Sequence, residues 1–155
     1  MPDVLHTNLL HTVDAAAGTL RSLDQSAVRE KPAPTKWSKV EILGHLVDSA
    51  ANNLPRFILA QQSESPQFSG YDQDAWVASQ DYANYDWQTL TDLWVQLNHH
   101  IASLVSRIPS DYLPRRIVNG AEITFRTPEG AVTLEYLIED YIVHIQHHLN
   151  QIIPA

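Results

Sequence analysis

Four stretches of the chain repeat apolar residues at the spacing of a single helical face, and this limits the possible folds more than any other feature. Leu5, Leu9, Val13, Ala16, Ala17, Leu20 and Leu23 make the first stripe. Ile42, Leu43, Leu46, Ala50, Leu54, Phe57 and Ile58 make the second, and Leu90, Leu93, Trp94, Leu97, Ile101, Leu104, Val105 and Ile108 the third. Leu134, Leu137, Ile138, Tyr141, Ile145, Leu149 and Ile152 make the fourth. Each has the period of an amphipathic helix, and a helix with one apolar stripe must bury it against a neighbour. In 155 residues the expectation is an all-α fold, a four-helix bundle forming one domain over residues 1–155.

The boundaries carry their own signals. The first helix spans about Val4 to Asp24, with Gly18 as a weak point. Pro32 and Pro34 keep the following connector out of helix. Ser38 and Glu41 then form a capping box, with Trp37 placed to staple onto the first turn, so the second helix runs from Ser38 to about Gln61. Pro55 within it suggests a kink. The third helix starts at the capping Asp86 and ends near Arg107, before Pro109. The fourth starts at the capping Thr133 and reaches about Ile153. The short first connection predicts that helices one and two are antiparallel neighbours. The other two connections are long enough to cross the bundle. Residues 62–85 hold one short helical turn and an aromatic and acidic cluster of Tyr71, Asp72, Asp74, Trp76 and Tyr82. That cluster either lines a pocket mouth or packs over the bundle end. Asn119-Gly120, between two β-prone runs, predicts a small β-hairpin excursion before the last helix.

Composition removes several classes of function. The formal net charge is −8 with no long basic run, so neither a nucleic-acid partner nor an anionic membrane surface is expected. There is no cysteine, which excludes disulfides, thiolate zinc sites and a cysteine nucleophile of the chain's own. No apolar run approaches the ~20 residues of a membrane span. Asp3, His6, His11 and Asp14 interrupt any signal-like segment. The expected location is the cytoplasm.

Three of the eight histidines, His144, His147 and His148, lie in the last helix. His144 and His148, four apart, leave one face with about 6 Å of rise between them, a spacing that lets two imidazoles reach one ion. His144 and His147 form a second possible pair. A zinc-protease motif is ruled out, because Ile145 stands where the general base Glu would be. In helix two, His45 sits beside the apolar stripe, among Glu41, Asp48, Ser49 and Asn52. Together with His144 and His148 it places three imidazoles at the edges of core stripes. Three protein ligands are the catalytic pattern of a metal site, the structural pattern being four. Glu41, Asp48, Asp140 and Gln151, each about one turn from one of these histidines, are candidate acceptors for their second ring nitrogens. His6, His11, His99 and His100 are expected in solvent or at face edges. Arg56, Arg115 and Arg116 either bind an acidic substrate group or sit in water, water being the first expectation, and Tyr141 either orients a substrate or, as first expected, packs in the core.

Trp37-Ser38 followed by Glu41-Ile42-Leu43-Gly44-His45-Leu46 resembles the second-helix signature of the DinB-like metal-binding bundles. His144-x-x-x-His148-x-x-Gln151 resembles their last helix. Gly70-Tyr71-Asp72-Gln73-Asp74-Ala75-Trp76 with Asp86-Trp87 is similar to the subgroup of bacillithiol S-transferases and metal-dependent hydrolases. The resemblance covers roughly residues 5–153. It implies an up-down-down-up bundle, often a homodimer, with a divalent ion on His45, His144 and His148 and with His147 as a neighbour. Nickel or zinc is the first expectation for that ion, and iron or manganese the second. It also implies an enzyme acting on a small-molecule substrate, either transferring a low-molecular-weight thiol to an electrophile or hydrolysing. No further catalytic residue is legible. The alternative is a non-catalytic metal-binding or small-molecule-binding bundle.

Overall fold

Capping residues start three of the four long helices where their chemistry predicts. In a computed structural model describing residues 1–154, α1 spans Pro2–Ser22, α2 Lys39–Leu59, α3 Gln73–Ser79, α4 Trp87–Ser106, α5 Gly120–Ile123 and α6 Leu134–Ile152. At the head of α2, the Glu41 amide donates to Ser38 Oγ and the Ser38 amide to Glu41 Oε1 at 3.0 Å. Asp72, Asp86 and Thr133 accept from the amides of Ala75, Thr89 and Tyr136 at 2.9–3.1 Å. Each bond satisfies an amide that the first helical turn leaves without a partner. α2 continues through Pro55 without a break.

α1, α2, α4 and α6 form the four-helix bundle, and their stripes make one apolar core. Trp87, Trp94, Phe57 and leucines from each long helix, such as Leu9, Leu43, Leu90 and Leu137, are fully buried within it. Ile58 and Leu93, expected inside, are instead partly exposed at the stripe edges. α1 packs chiefly on α4 and then on α6, while α2 packs on α4 and α6. α2 therefore lies diagonally across from α1, and the expected neighbour relation between helices one and two does not hold. A short connector limits the distance between helix ends; it does not decide which apolar stripes meet.

Polar contacts give the helix directions. Trp87 Nε1 donates to Leu20 O, and His6 Nδ1 meets Ala102 O, so α1 and α4 are antiparallel. The Met1 amino group contacts Glu135, and Gln146 contacts Thr12, so α1 and α6 are parallel. His45 lies beside His148 and Ser49 beside His144, so α2 and α6 are antiparallel. The result is the up-down-down-up arrangement.

The expected hairpin is absent, and no strand exists among the described residues. Residues 120–123 form one helical turn, and only an isolated bridge pairs Arg116 with Thr133. The Asn-Gly signal depends on positive φ, yet no glycine here has one. Asn119 instead clasps the backbone of Phe68, accepting from its amide and donating to its carbonyl. The Val118 amide donates to Pro66 O and the Ile117 amide to Val132 O. Gly120 is needed for closeness, since a Cβ there would lie 2.2 Å from Val132 Cβ. Among the described residues no helix is long and apolar enough to cross a membrane.

Candidate metal centre

Antiparallel packing of α2 on α6 brings His45, His144 and His148 together. Each offers one ring nitrogen, and the three nitrogens lie within 4.8 Å of one another. The rings stand nearly perpendicular in pairs, at 80–83°, with centroids 4.6–5.0 Å apart. His45 Nε2 and His144 Nε2 are 3.1 Å apart. Two imidazoles on one ion, each about 2.1 Å from it, have nitrogens about 2.9–3.4 Å apart, so this pair already has the spacing of co-ligands.

The outer nitrogens support the same orientation. His148 Nδ1 lies 2.8 Å from Gln151 Oε1, and the proton belongs on that nitrogen because the amide oxygen only accepts. His144 Nδ1 has a longer contact of 3.4 Å to Ser49 Oγ. His45 Nδ1 is buried with no partner, and the Trp37 ring packs 4.9 Å from the His45 ring. Of the four candidate acceptors, only Gln151 serves a histidine. Glu41 is held in the capping box. Asp48 Oδ1 accepts from Tyr82 Oη and Gln80 Nε2, each at 2.8 Å. Asp140 accepts from the Phe125 and Arg126 amides and from Arg126 Nε.

Electrostatics keep the cluster ready for a cation. Burial, with the His148 ring nearby, pulls the pKa of His45 down to about 4. Burial, with His148, His45 and His147 nearby, pulls His144 down to about 3. Burial lowers His148 too, against the opposing bond to Gln151. All three are neutral near pH 7, the form that donates a lone pair to a metal.

Several residues shape the site in ways their local sequence does not show. Asp140 straps residues 125–126 onto α6, and this sets the Phe125 ring 5.1 Å from His144 and 4.9 Å from His147. His147 is exposed on that rim and outside the three-imidazole group. Gly44 allows the Tyr82 ring to lie against α2, where a Cβ would come within 2.2 Å of it. Two recesses meet the cluster. The inner one, a cavity of about 180 Å³ beside His144, is lined by Ser49, Asn53, Arg56, Tyr71 and Thr124 among others. The outer one, of about 600 Å³ and more open, lies beside His148 and is lined by Pro32, Trp37, Ile42 and Asp74 among others. The aromatic and acidic cluster of 71–82 is thus divided. Tyr71 and Asp74 line recesses, Asp72 caps α3, and Tyr82 is buried. Arg56, expected in water, is only 6% exposed. Arg115 donates to the carbonyls of Ala60, Gln61 and Ser63. Tyr141 is in the core as expected, its hydroxyl bonded to Asn98 Oδ1. His99 is exposed, 2.6 Å from Asp14, and His100 is also exposed.

Comparison with known proteins agrees with this architecture. Two relatives from Oceanobacillus iheyensis bear the name "Putative metal-dependent hydrolase". OB0413 is 25% identical over 86% of this chain and 73% of its own length. OB0782 is 30% identical over 75% of this chain and 63% of its own length, so the chain spans just under two thirds of that relative. The solved structure of YfiT from Bacillus subtilis, described as "a probable metal-dependent hydrolase with an unusual four-helix bundle topology", aligns with a TM-score of 0.80. The alignment has 21% identity and covers 97% of this chain and 83% of that one, which establishes a shared fold. A family model for the DinB superfamily matches residues 8–152, from the first helix through the two-histidine helix. With the four-helix bundle and the family match agreeing over nearly its whole length, the chain belongs to the DinB superfamily.

Proposed function

We propose that the chain is a metal-dependent enzyme acting on small molecules, with His45, His144 and His148 holding one divalent cation. The observation that carries this reading is the donor set itself: three neutral imidazoles from two helices, two of their nitrogens 3.1 Å apart, at the meeting of two recesses. Imidazole suits several divalent metals, and the resemblance to the DinB-like bundles makes nickel or zinc the first expectation, with iron or manganese the second. Bound there, a divalent cation would supply Lewis acidity, easing loss of a proton from water or from a thiol near neutral pH. The protein's own part is to orient and to exclude water. Gln151 holds the His148 ring, Trp37 packs on His45, and Phe125 covers His144.

Two recesses at one cluster have room for two reactants, which favours transfer of a small thiol to an electrophile. With no cysteine in the chain, the thiol would arrive as a cosubstrate. Hydrolysis is the second reading, favoured by the names of the relatives. Metal content by mass spectrometry on untagged protein tests the common premise. About one divalent ion per chain is expected in wild type, and none in His45→Ala or His148→Ala. Wild type that takes up no metal at micromolar concentration would sink the proposal. The loaded protein is then assayed with small thiols plus a chloronitroarene, and separately with esters and amides. Turnover dependent on thiol selects transfer, and turnover without it selects hydrolysis.

A further inference from the structure

Arg56 is the only lysine or arginine lining the inner cavity, and among the described residues no side chain pairs with its charge. Among the described residues its one hydrogen bond runs from Nη2 to Ser69 O, at 2.7 Å, and no carboxylate pairs with it. Buried charges are normally paired, because an uncompensated one is costly. None of the nearby acids pairs with it. Asp48 is bonded by Tyr82 and Gln80, and Asp140 by three N–H groups of residues 125 and 126. Glu122 lines the same cavity but is exposed to solvent. The Tyr71 phenol, raised to about 12 by burial and by Asp48, stays neutral beside the guanidinium. Thr124 also lines the cavity, and its hydroxyl is buried with no partner. The chain thus encloses a guanidinium and an unused hydroxyl in a space that also contains His144.

We infer that the inner cavity is a carboxylate-binding subsite, anchored by Arg56, for the non-reacting end of a substrate whose other end lies beside His144. This rests on the metal-dependent reading above. Chemistry selects the ligand class. A guanidinium presents a planar fork that matches a carboxylate, and the Thr124 hydroxyl can donate a further bond. Glu122 and Asp140 in the same lining disfavour a dianion such as phosphate. Size selects the rest. The inner cavity, about 180 Å³, is far smaller than the outer recess of about 600 Å³. Ser49, which touches His144, and Arg56 are two turns apart on α2, about 10 Å along its axis. The substrate is therefore a short-chain acid, reacting a few bonds from its carboxylate.

The test uses propanoate, with propanamide as its uncharged counterpart and inorganic phosphate as its rival. They are titrated by NMR into the full chain, first stripped with chelator and then loaded with Zn²⁺, with metal content measured on the same samples. Stripped wild type should bind propanoate with a Kd of about 1–10 mM, reasonable for so small a ligand, and should bind neither rival. Arg56→Gln should weaken binding at least about 10-fold, Arg56→Lys less, and Thr124→Val about 3-fold, as loss of a charge-assisted and of a neutral hydrogen bond implies. Equal binding in Arg56→Gln, equal binding of propanamide, or tighter binding of phosphate overturns the inference. Arg56 also ties α2 to Ser69, so Arg56→Gln could fail to fold. The Arg56 Nε–H resonance of wild type then decides: movement with propanoate supports the subsite, and no movement overturns it. A chain that takes up no divalent metal, zinc and nickel included, overturns the catalytic reading separately, while the stripped-protein titrations still judge the subsite.

Discussion

The α1–α4 pair and the α2–α6 pair are made of similar amphipathic helices and treat polar residues in opposite ways. α1 buries no polar or charged side chain, and α4 buries Thr91 and Asn98. Both of these are satisfied: Thr91 Oγ1 donates to Trp87 O, and Asn98 bonds Trp94 O and the Tyr141 hydroxyl. Trp94 Nε1 is the exception, buried without a partner. The exposed pair His99–Asp14 links α1 and α4 at the surface, where such a pair contributes little. In contrast, α2 and α6 bury His45, Asp48, Ser49, Asn53, Arg56, Asp140 and His144. His45 Nδ1 and Asp48 Oδ2 are left unbonded there. A buried group without a partner costs about 1–3 kcal/mol. One half of the bundle therefore supplies stability through close packing. The other half spends some of it to hold polar groups in place, as functional sites do.

The largest expected effect separates the halves most directly. Trp94 is fully buried, and Trp94→Ala should lower unfolding free energy by about 3–5 kcal/mol in chemical denaturation. Molecules that remain folded should still take up metal. His144→Ala should do the reverse, abolishing tight metal binding while costing the stripped protein less than about 2 kcal/mol. If the two variants destabilise the stripped protein equally, the division of labour is wrong.

Acid should act on the α2–α6 half. The His45 pKa is about 4 in the fold and about 6.5 in the unfolded chain. Between those values the unfolded chain binds more protons, so stability rises with pH. The contribution is complete above about pH 6.5 and is lost as pH falls toward 4. For His45 it is on the order of 2–3 kcal/mol. Denaturation of stripped protein at pH 7 and pH 4.5 should show this loss, and a His45→Phe, His144→Phe double variant should lose much of it. An unchanged loss in the double variant would place the acid sensitivity elsewhere.

The smallest effect refines the picture inside the site. Gln151→Ala removes the acceptor on His148 Nδ1 and should weaken metal binding about 10-fold, the usual scale for a residue that orients a ligand. Gln151 is exposed, so the denaturation midpoint should not move. A shifted midpoint would show that the bond serves the helix and not the imidazole.

Features that depend on residues close in the chain were legible without the structure. The capping box at Ser38, the caps Asp86 and Thr133, and most of the apolar stripe of each long helix appear as expected, Ile58 and Leu93 excepted. The candidate triad was legible because His144 and His148 share a helical face and His45 flanks a stripe. Its meeting point was not, since nothing local dictates that residue 45 lies opposite residue 148. The hairpin expectation failed for the same reason. Asn119 is engaged by Phe68, 51 residues away, and Gly120 makes room for Val132. Arg56 was expected in water because charge normally prefers it, and only the enclosing segment around Ser69 and Tyr71 buries it.

By itself, the sequence determined four amphipathic helices, their start points and a histidine pair on one face. These follow from backbone periodicity and from hydrogen bonds within a few residues. The tertiary structure alone decided that α1 and α2 lie on a diagonal, that three imidazoles converge, and that a lone guanidinium shares a cavity with one of them. Those outcomes depend on which apolar stripes bury each other best. That is a competition among all four helices, and no single segment encodes its result.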